Sequence, residues 1–298
     1  MATASEKEKN GGRRKVAFVT CVQLGLSCIR AVLAAGGHFD LLITLKDQRA
    51  RDKSGRIYLD EVAGAYGIPL LKVDSINDAE AVQAVRAAGI DWMFVIGWSQ
   101  IVKPEMLYTP HCGCVGIHPT LLPEGRGRAP IPWAILKGLP RTGVTMFRLD
   151  EGVDTGPVIA QIPIDLTART TATELYEKVN RVHVELILSC WADIVNGRVT
   201  PVPQDEDRAT RWPVRHPADG ALSHRMTMAE ADRLVRAVTH PYPGAFFEED
   251  GQRTVVWSAD IGREHRPGAF RLADGYLYPL ETERQMACRE PLVVGSGR

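Results

Sequence analysis

Hydrophobic and polar positions alternate between two periods along the first hundred residues. KVAFVTC from Lys15 and FDLLITL from Phe39 are short unbroken apolar runs, as are IPLLKV from Ile68 and DWMFVIG from Asp91. Such runs, bounded by polar or glycine residues, predict buried strands. Between them lie SCIRAVLAAGG from Ser27, LDEVAGAYG from Leu59 and AEAVQAVRAAG from Ala79, in which apolar residues recur at helical spacing and a glycine closes the run. Strands alternating with helices predict a parallel sheet covered by helices on both faces, a Rossmann-like α/β half-domain. PVIAQIPIDL from Pro157 predicts another strand. A long amphipathic helix then runs from Thr171 to a stop at Asn196-Gly197. From Arg198 to Gly220 the chain turns rich in proline and charge and reads as a linker with little core of its own. A helix, AEADRLVRAV, and several short strand candidates follow, with no internal repeat.

The glycines of the first strand-to-helix turn narrow the function. CVQLGLS carries Gly25 alone where a dinucleotide-binding turn needs three glycines at GxGxxG spacing, and no GxxxxGK phosphate loop occurs anywhere. Lysine plus arginine and aspartate plus glutamate number 36 each in 298 residues, which argues against nucleic-acid binding through a global positive field. Residues 1–13 read as a polar tail, and no run approaches the roughly 20 apolar residues of a membrane span, so a cytoplasmic protein without a membrane partner is expected. Cys21, Cys28, Cys112, Cys114, Cys190 and Cys288 form no CxxC pair and read as reduced thiols. His111, Cys112, Cys114 and His118 crowd together, but no second cluster at zinc spacing follows, and no metal is expected.

Two segments hold the candidate chemistry: GIHPTLLPEGRG around His118, and GVTMFRLDEGVDTGPVIAQ with Asp154. An imidazole and a carboxylate in loops after successive strands are the parts of a proton-transfer pair. These words resemble the folate-dependent formyltransferase family, whose signature reads Asn-x-His-x-Ser-Leu-Leu-Pro, then Arg-Gly, then a downstream Asp-x-Gly. RHPADG and RAVTHPYPGAF extend the resemblance from about Arg14 to Leu280, although Ser223-His224 stands where relatives commonly have Asp-Trp. Two positions of the signature differ: Gly116 replaces the asparagine and Thr120 the serine.

The resemblance implies an N-terminal catalytic domain over residues 14–203 and a smaller barrel-like, OB-like domain within 204–298. It also implies 10-formyltetrahydrofolate as co-substrate, and a homodimer. Formyl transfer to an amine needs a proton acceptor and a stabiliser for the oxygen that becomes negative. His118 and Asp154 are the catalytic pair the resemblance implies; the family's asparagine donates to that oxygen, which Gly116 cannot do. Trp98, Ser99, Gln100, Ile101 and Val102, with the backbone of Glu151, Gly152 and Val153, align with the family's pterin slot. The Gln100 carboxamide is a candidate substitute for the missing asparagine. Thr120 keeps a hydroxyl able to bond loop backbone, and Arg126 is a candidate for holding an anionic substrate group, with Arg128 expected to be solvated or paired.

The acceptor expected is a nucleotide-linked 4-amino-4-deoxysugar or a similar small amine. KDQRARDKSGRIY, from Lys46 to Tyr58, is shorter than the basic insertion of methionyl-tRNA formyltransferases, so tRNA is the second candidate. A hydrolase of 10-formyltetrahydrofolate is disfavoured by the start of the first strand near Lys15. The loss of the asparagine keeps open a folate- or sugar-binding protein with little catalysis.

Overall fold

The computed structural model describes residues 12–49 and 56–286. The tail before residue 12, the middle of the Lys46–Tyr58 segment and Cys288 lie outside the described residues. The chain divides into two compact units: one is built mainly from the residues up to Val214, the other mainly from Arg215 onward. Residues 204–214 therefore sit in the same unit as the large sheet.

In the first unit the predicted apolar runs form strands β1 (Val16–Val19), β2 (Leu41–Leu45), β3 (Leu70–Val73) and β4 (Trp92–Ile96), joined by β5 (Gly113–His118). A two-residue strand β6 (Arg126–Gly127), then β7 (Arg141–Arg148), β8 (Val158–Asp165) and the short β9 (Arg211–Trp212) complete the unit. The main sheet has the order β3-β2-β1-β4-β5-β7-β8. Its first five strands are parallel. The last two are antiparallel, which makes this the parallel-rich sheet expected for the domain, with a mixed edge. β7 and β8 follow one another with no helix between them, the connection that antiparallel neighbours allow and parallel ones do not.

The helices are α1 (Gln23–Ala34), α2 (Asp60–Tyr66), α3 (Ala79–Ala88), α4 (Pro104–Leu107), α5 (Pro130–Leu136) and α6 (Ala172–Val195). Strand period 2 sorts the core into two layers. Ala17, Val19, Met93 and Val95 join Ala81, Val82 and Val85 of α3 and Met106 of α4 in one cluster. Phe18 and Phe94, one residue out of phase, face the other way, and Phe94 stacks on Trp191 of α6 at 5.2 Å. Helices thus cover both faces, as the alternation predicts.

One polar residue interrupts the buried stripe of α6. His183 is fully buried, its Nδ1–H donates to the Val179 carbonyl at 2.8 Å, and its pKa is pushed down to about 4, mainly by burial and further by the charge of His118. Because the folded-state pKa lies below the ordinary 6.5, the unfolded chain binds this proton more readily, so stability is full above pH 6.5 and falls as the pH drops toward 4. The loss is about 3 kcal/mol. Denaturant unfolding at pH 7 and pH 4.5 should show a larger decrease for the native sequence than for His183→Leu.

The second unit contains α7 (Met228–Val238), capped by reciprocal bonds between Thr227 and Glu230, and strands β10 (Ala245–Glu249), β11 (Gln252–Gly262), β12 (Phe270–Arg271) and β13 (Tyr276–Met286). These form an antiparallel sheet of order β10-β11-β13-β12, a half-barrel in the region where a small barrel-like, OB-like domain is expected.

Candidate active site

His118 is the last residue of β5 rather than part of the loop beyond it, and is 7% exposed. Its row in the sheet explains its fixed position: His118 stands opposite Thr145 of β7, which stands opposite Gln161 of β8. The buried Thr145 hydroxyl donates to the Thr120 carbonyl at 2.7 Å and accepts from Leu122 N–H at 3.1 Å and from Gln161 Nε2 at 2.8 Å. This network ties the loop after His118 to the sheet. Thr145→Val would leave several buried groups unpaired and is expected to cost about 1–3 kcal/mol in denaturant unfolding.

Both nitrogens of the His118 ring face protein groups. Nε2 lies 2.9 Å from the Gly125 carbonyl; a carbonyl only accepts, so Nε2 carries a proton. Nδ1 lies 3.6 Å from Asp154 Oδ2. That carboxylate oxygen also accepts the Gly127 N–H at 2.8 Å. Asp154 itself adopts the left-handed backbone region, φ +56°, which a non-glycine residue occupies only when its surroundings hold it there. The sequence pair is therefore brought together, with the 125–127 loop as its cradle.

The structure corrects three of the expected roles. Arg126 is 2% exposed, and its guanidinium is spent on protein: Nη1 and Nη2 donate to Glu206 at 2.8 and 2.6 Å, Nε and Nη2 to Gln204 Oε1 at 3.1 and 2.8 Å. It is an internal staple rather than an open anion site. Arg128 is the exposed arginine of this loop, bonded through Nη2 to the Ser99 carbonyl at 2.8 Å. Gln100 cannot replace the asparagine amide, because its Nε2 donates to Asp74 O and its Oε1 accepts Ile76 N–H, both at 3.0 Å. Thr120 is 1% exposed and its hydroxyl, expected to bond loop backbone, has no partner.

Gly116 is not an open space. A Cβ there would meet Leu149 Cδ2 at 2.7 Å and the Phe147 ring at 3.3 Å. Leu149 and Phe147 occupy the volume that a side chain at 116 needs.

The 97–102 and 149–155 loops flank this centre, linked through Arg128 to Ser99 and through Gly127 to Asp154. Trp98 packs against the core, yet its indole Nε1 is buried without a partner. Ile101 is 60% and Val153 37% exposed, whereas Val102 is committed to the core. Gly152 N–H and the Thr155 hydroxyl both bond Asp150 Oδ1, shaping the second loop, and Tyr108 donates to Glu151 at 2.8 Å. An orphaned indole N–H and exposed apolar loop tips are features a flat, hydrogen-bonding heterocycle can satisfy. A cavity of about 580 Å³ lined by residues including Val85, Ile90, Tyr108 and His111 contains neither His118 nor Asp154.

Sequence reasoning missed the 204–212 segment, whose proline and charge disguised it as a linker. Thr210 accepts Gly125 N–H on its hydroxyl at 2.8 Å and Arg126 N–H on its carbonyl at 2.9 Å. β9 pairs with β6, and a Cβ at Gly127, φ +111°, would strike the Trp212 backbone oxygen. Gln204 reaches the Asp154 and Gly156 carbonyls at 2.9 and 2.7 Å. None of the described cysteines is joined in a disulfide, and burial pushes the Cys28 and Cys114 thiols up to about 12.

Comparison with known proteins gives the following likenesses. The formyl transferase family model matches residues 37–190, and the formyl transferase C-terminal domain model matches 215–292. A methionyl-tRNA formyltransferase of Lachnospira eligens is 28% identical over 300 residues, covering 95% of each chain. A sugar N-formyltransferase from a Shewanella species shares the fold with TM-score 0.67 at 19% identity, over 84% of this chain and 99% of the other. The N-formyltransferase of Helicobacter canadensis, solved with folinic acid and dTDP-3-aminofucose, has TM-score 0.68 at 16% identity, over 91% and 100%.

Proposed function

Since the chain belongs to the formyl transferase family, as a folate-dependent enzyme whose formyl donor is 10-formyltetrahydrofolate, we propose that His118 and Asp154 are its catalytic pair. The acceptor proposed is the amine of a nucleotide-linked 4-amino-4-deoxysugar or a similar small amine. The observation that carries the first part is the 3.6 Å contact between the buried His118 and the half-buried Asp154.

When bound, the donor supplies the formyl carbon that the amine attacks. Trp98, Ser99, Ile101 and the backbone of Glu151, Gly152 and Val153 are the residues proposed to hold its ring, Gln100 contributing by pinning its loop to the 74–76 backbone. The acceptor nitrogen must lose a proton as its bond to the formyl carbon forms, and that proton must be returned to the donor nitrogen as its own bond to the formyl carbon breaks and tetrahydrofolate leaves. His118 Nε2 is already protonated toward Gly125, so Nδ1 is the atom that receives it. The resulting imidazolium then faces the Asp154 carboxylate, whose opposite charge stabilises it. Low exposure of both side chains strengthens this interaction and keeps water from competing for the formyl group.

The small-amine reading is supported by the zero formal net charge and by the short stretch between β2 and α2. A second reading, charged initiator tRNA, is favoured by the likeness to the L. eligens methionyl-tRNA formyltransferase along nearly the whole chain. Tetrahydrofolate release from 10-formyltetrahydrofolate separates them. Turnover with a panel of nucleotide-linked amino sugars, and none with methionyl-tRNA at physiological salt, is the expected result. The reverse would establish the tRNA acceptor, and folate binding without turnover on any amine would support a binding protein.

A further inference from the structure

Gln204 and Arg126 form a bracket that grips both members of the proposed pair. We propose that Gln204 is a positioning residue for Asp154 and His118, anchored by Arg126; this rests on the reading of those two residues as the catalytic pair. The Gln204 carboxamide has two N–H donors and one oxygen, and all are used. Nε2 donates to the Asp154 carbonyl at 2.9 Å and to the Gly156 carbonyl at 2.7 Å. Oε1 accepts Arg126 Nε at 3.1 Å and Nη2 at 2.8 Å. Reversing the amide would set its NH₂ against the guanidinium and its oxygen against two carbonyls, so the orientation is fixed by its partners.

One of these carbonyls belongs to the left-handed Asp154 itself and the other to Gly156 two residues on, so Gln204 grips the turn at a backbone conformation that needs external support. Arg126 closes the other side. Its neighbour Gly125 offers the carbonyl that fixes His118 Nε2, and its neighbour Gly127 offers the N–H that fixes Asp154 Oδ2. Glu206 neutralises the nearly buried guanidinium from the same segment as Gln204. One side-chain unit therefore sets the distance between imidazole and carboxylate, without touching the reacting atoms itself.

The test compares Gln204→Glu, Arg126→Lys and Asp154→Asn in the full-length protein. Gln204→Glu preserves shape and the acceptor toward Arg126, but faces two carbonyls with lone pairs. Arg126→Lys keeps the charge beside Glu206 and loses the planar fork. With the acceptor that the native enzyme turns over, Gln204→Glu and Arg126→Lys are expected to lower kcat about 10- to 100-fold, because a small misplacement of reacting groups is costly. KM for 10-formyltetrahydrofolate should stay within about twofold, since the donor's proposed contacts lie on other residues. An independent readout needs no acceptor: in ¹⁵N-histidine-labelled protein at neutral pH, the His118 ring signals should shift in Gln204→Glu and in Asp154→Asn. Native-like kcat and His118 signals in a folded Gln204→Glu, beside an inactive Asp154→Asn, would overturn the positioning role alone. An Asp154→Asn variant with native activity and signals would overturn the catalytic pair, and the bracket's role with it.

Discussion

Turnover of His118→Asn should fall by about two to four orders of magnitude, the usual contribution of a positioned acid–base group. Asparagine is the informative replacement. Its amide reaches only as far as Nδ1, so the bond that His118 Nε2 makes to the Gly125 carbonyl at 2.9 Å is lost while the position facing Asp154 stays polar. It has no lone pair of useful basicity at the Nδ1 position, the only ring atom free to take a proton. The melting temperature should fall only by what one lost hydrogen bond costs, while tetrahydrofolate release collapses. Asp154→Asn should lose less, because an amide oxygen still accepts the Gly127 N–H at 2.8 Å, but the charge facing the imidazolium is gone. An ordinary rate for His118→Asn with full folding would mean the proton goes elsewhere.

Restoring the family's asparagine should not restore a faster enzyme. Gly116→Asn places its Cβ 2.7 Å from Leu149 Cδ2 and 3.3 Å from the Phe147 ring, so the Leu149 side chain must turn aside and the Phe147 ring must give way slightly. Overpacking of this kind costs about 1–3 kcal/mol, read as a lower denaturation midpoint. Leu149→Ala removes the nearest obstacle. The double variant Gly116→Asn/Leu149→Ala should be more stable than the sum of the two single changes, a coupling that a double-mutant cycle measures directly. Turnover should rise only in the double variant, where the amide has room to adopt a rotamer facing the site. The question posed by the missing asparagine thus becomes a question about three residues. Gly116 does not leave a hole for an unusual acceptor; Leu149 and Phe147 fill it. A Gly116→Asn single variant that is both stable and faster would show that Leu149 yields freely.

The contrast between what could and could not be read in the sequence follows from the range of the interactions. β1 to β4 and the helices between them are visible because period-2 and period-3.6 burial is a local property, and Gly67 and Gly89 mark helix ends with positive φ, 62° and 64°. The His118 and Asp154 positions were legible because short words carry them. The antiparallel turn of β7 and β8 was not, since the pattern of a buried strand does not encode its direction. Arg126 illustrates a second limit. An arginine between glycines reads as an exposed cation; its burial depends on Gln204 and Glu206, some 80 residues away in sequence. The same distance hid Thr210 and Trp212, whose segment looked like a linker because its contacts are hydrogen bonds rather than an apolar stripe. Gln100 shows the converse error: a loop carboxamide near the site is spent on the neighbouring backbone at Asp74 and Ile76.

The most direct test of the central claim is tetrahydrofolate release from 10-formyltetrahydrofolate by the native protein, His118→Asn and Asp154→Asn, with the acceptor panel supplied and folding checked in parallel. The account predicts amine-dependent release by the native protein and its loss in both folded variants. Release that persists at the native rate in either variant would contradict it.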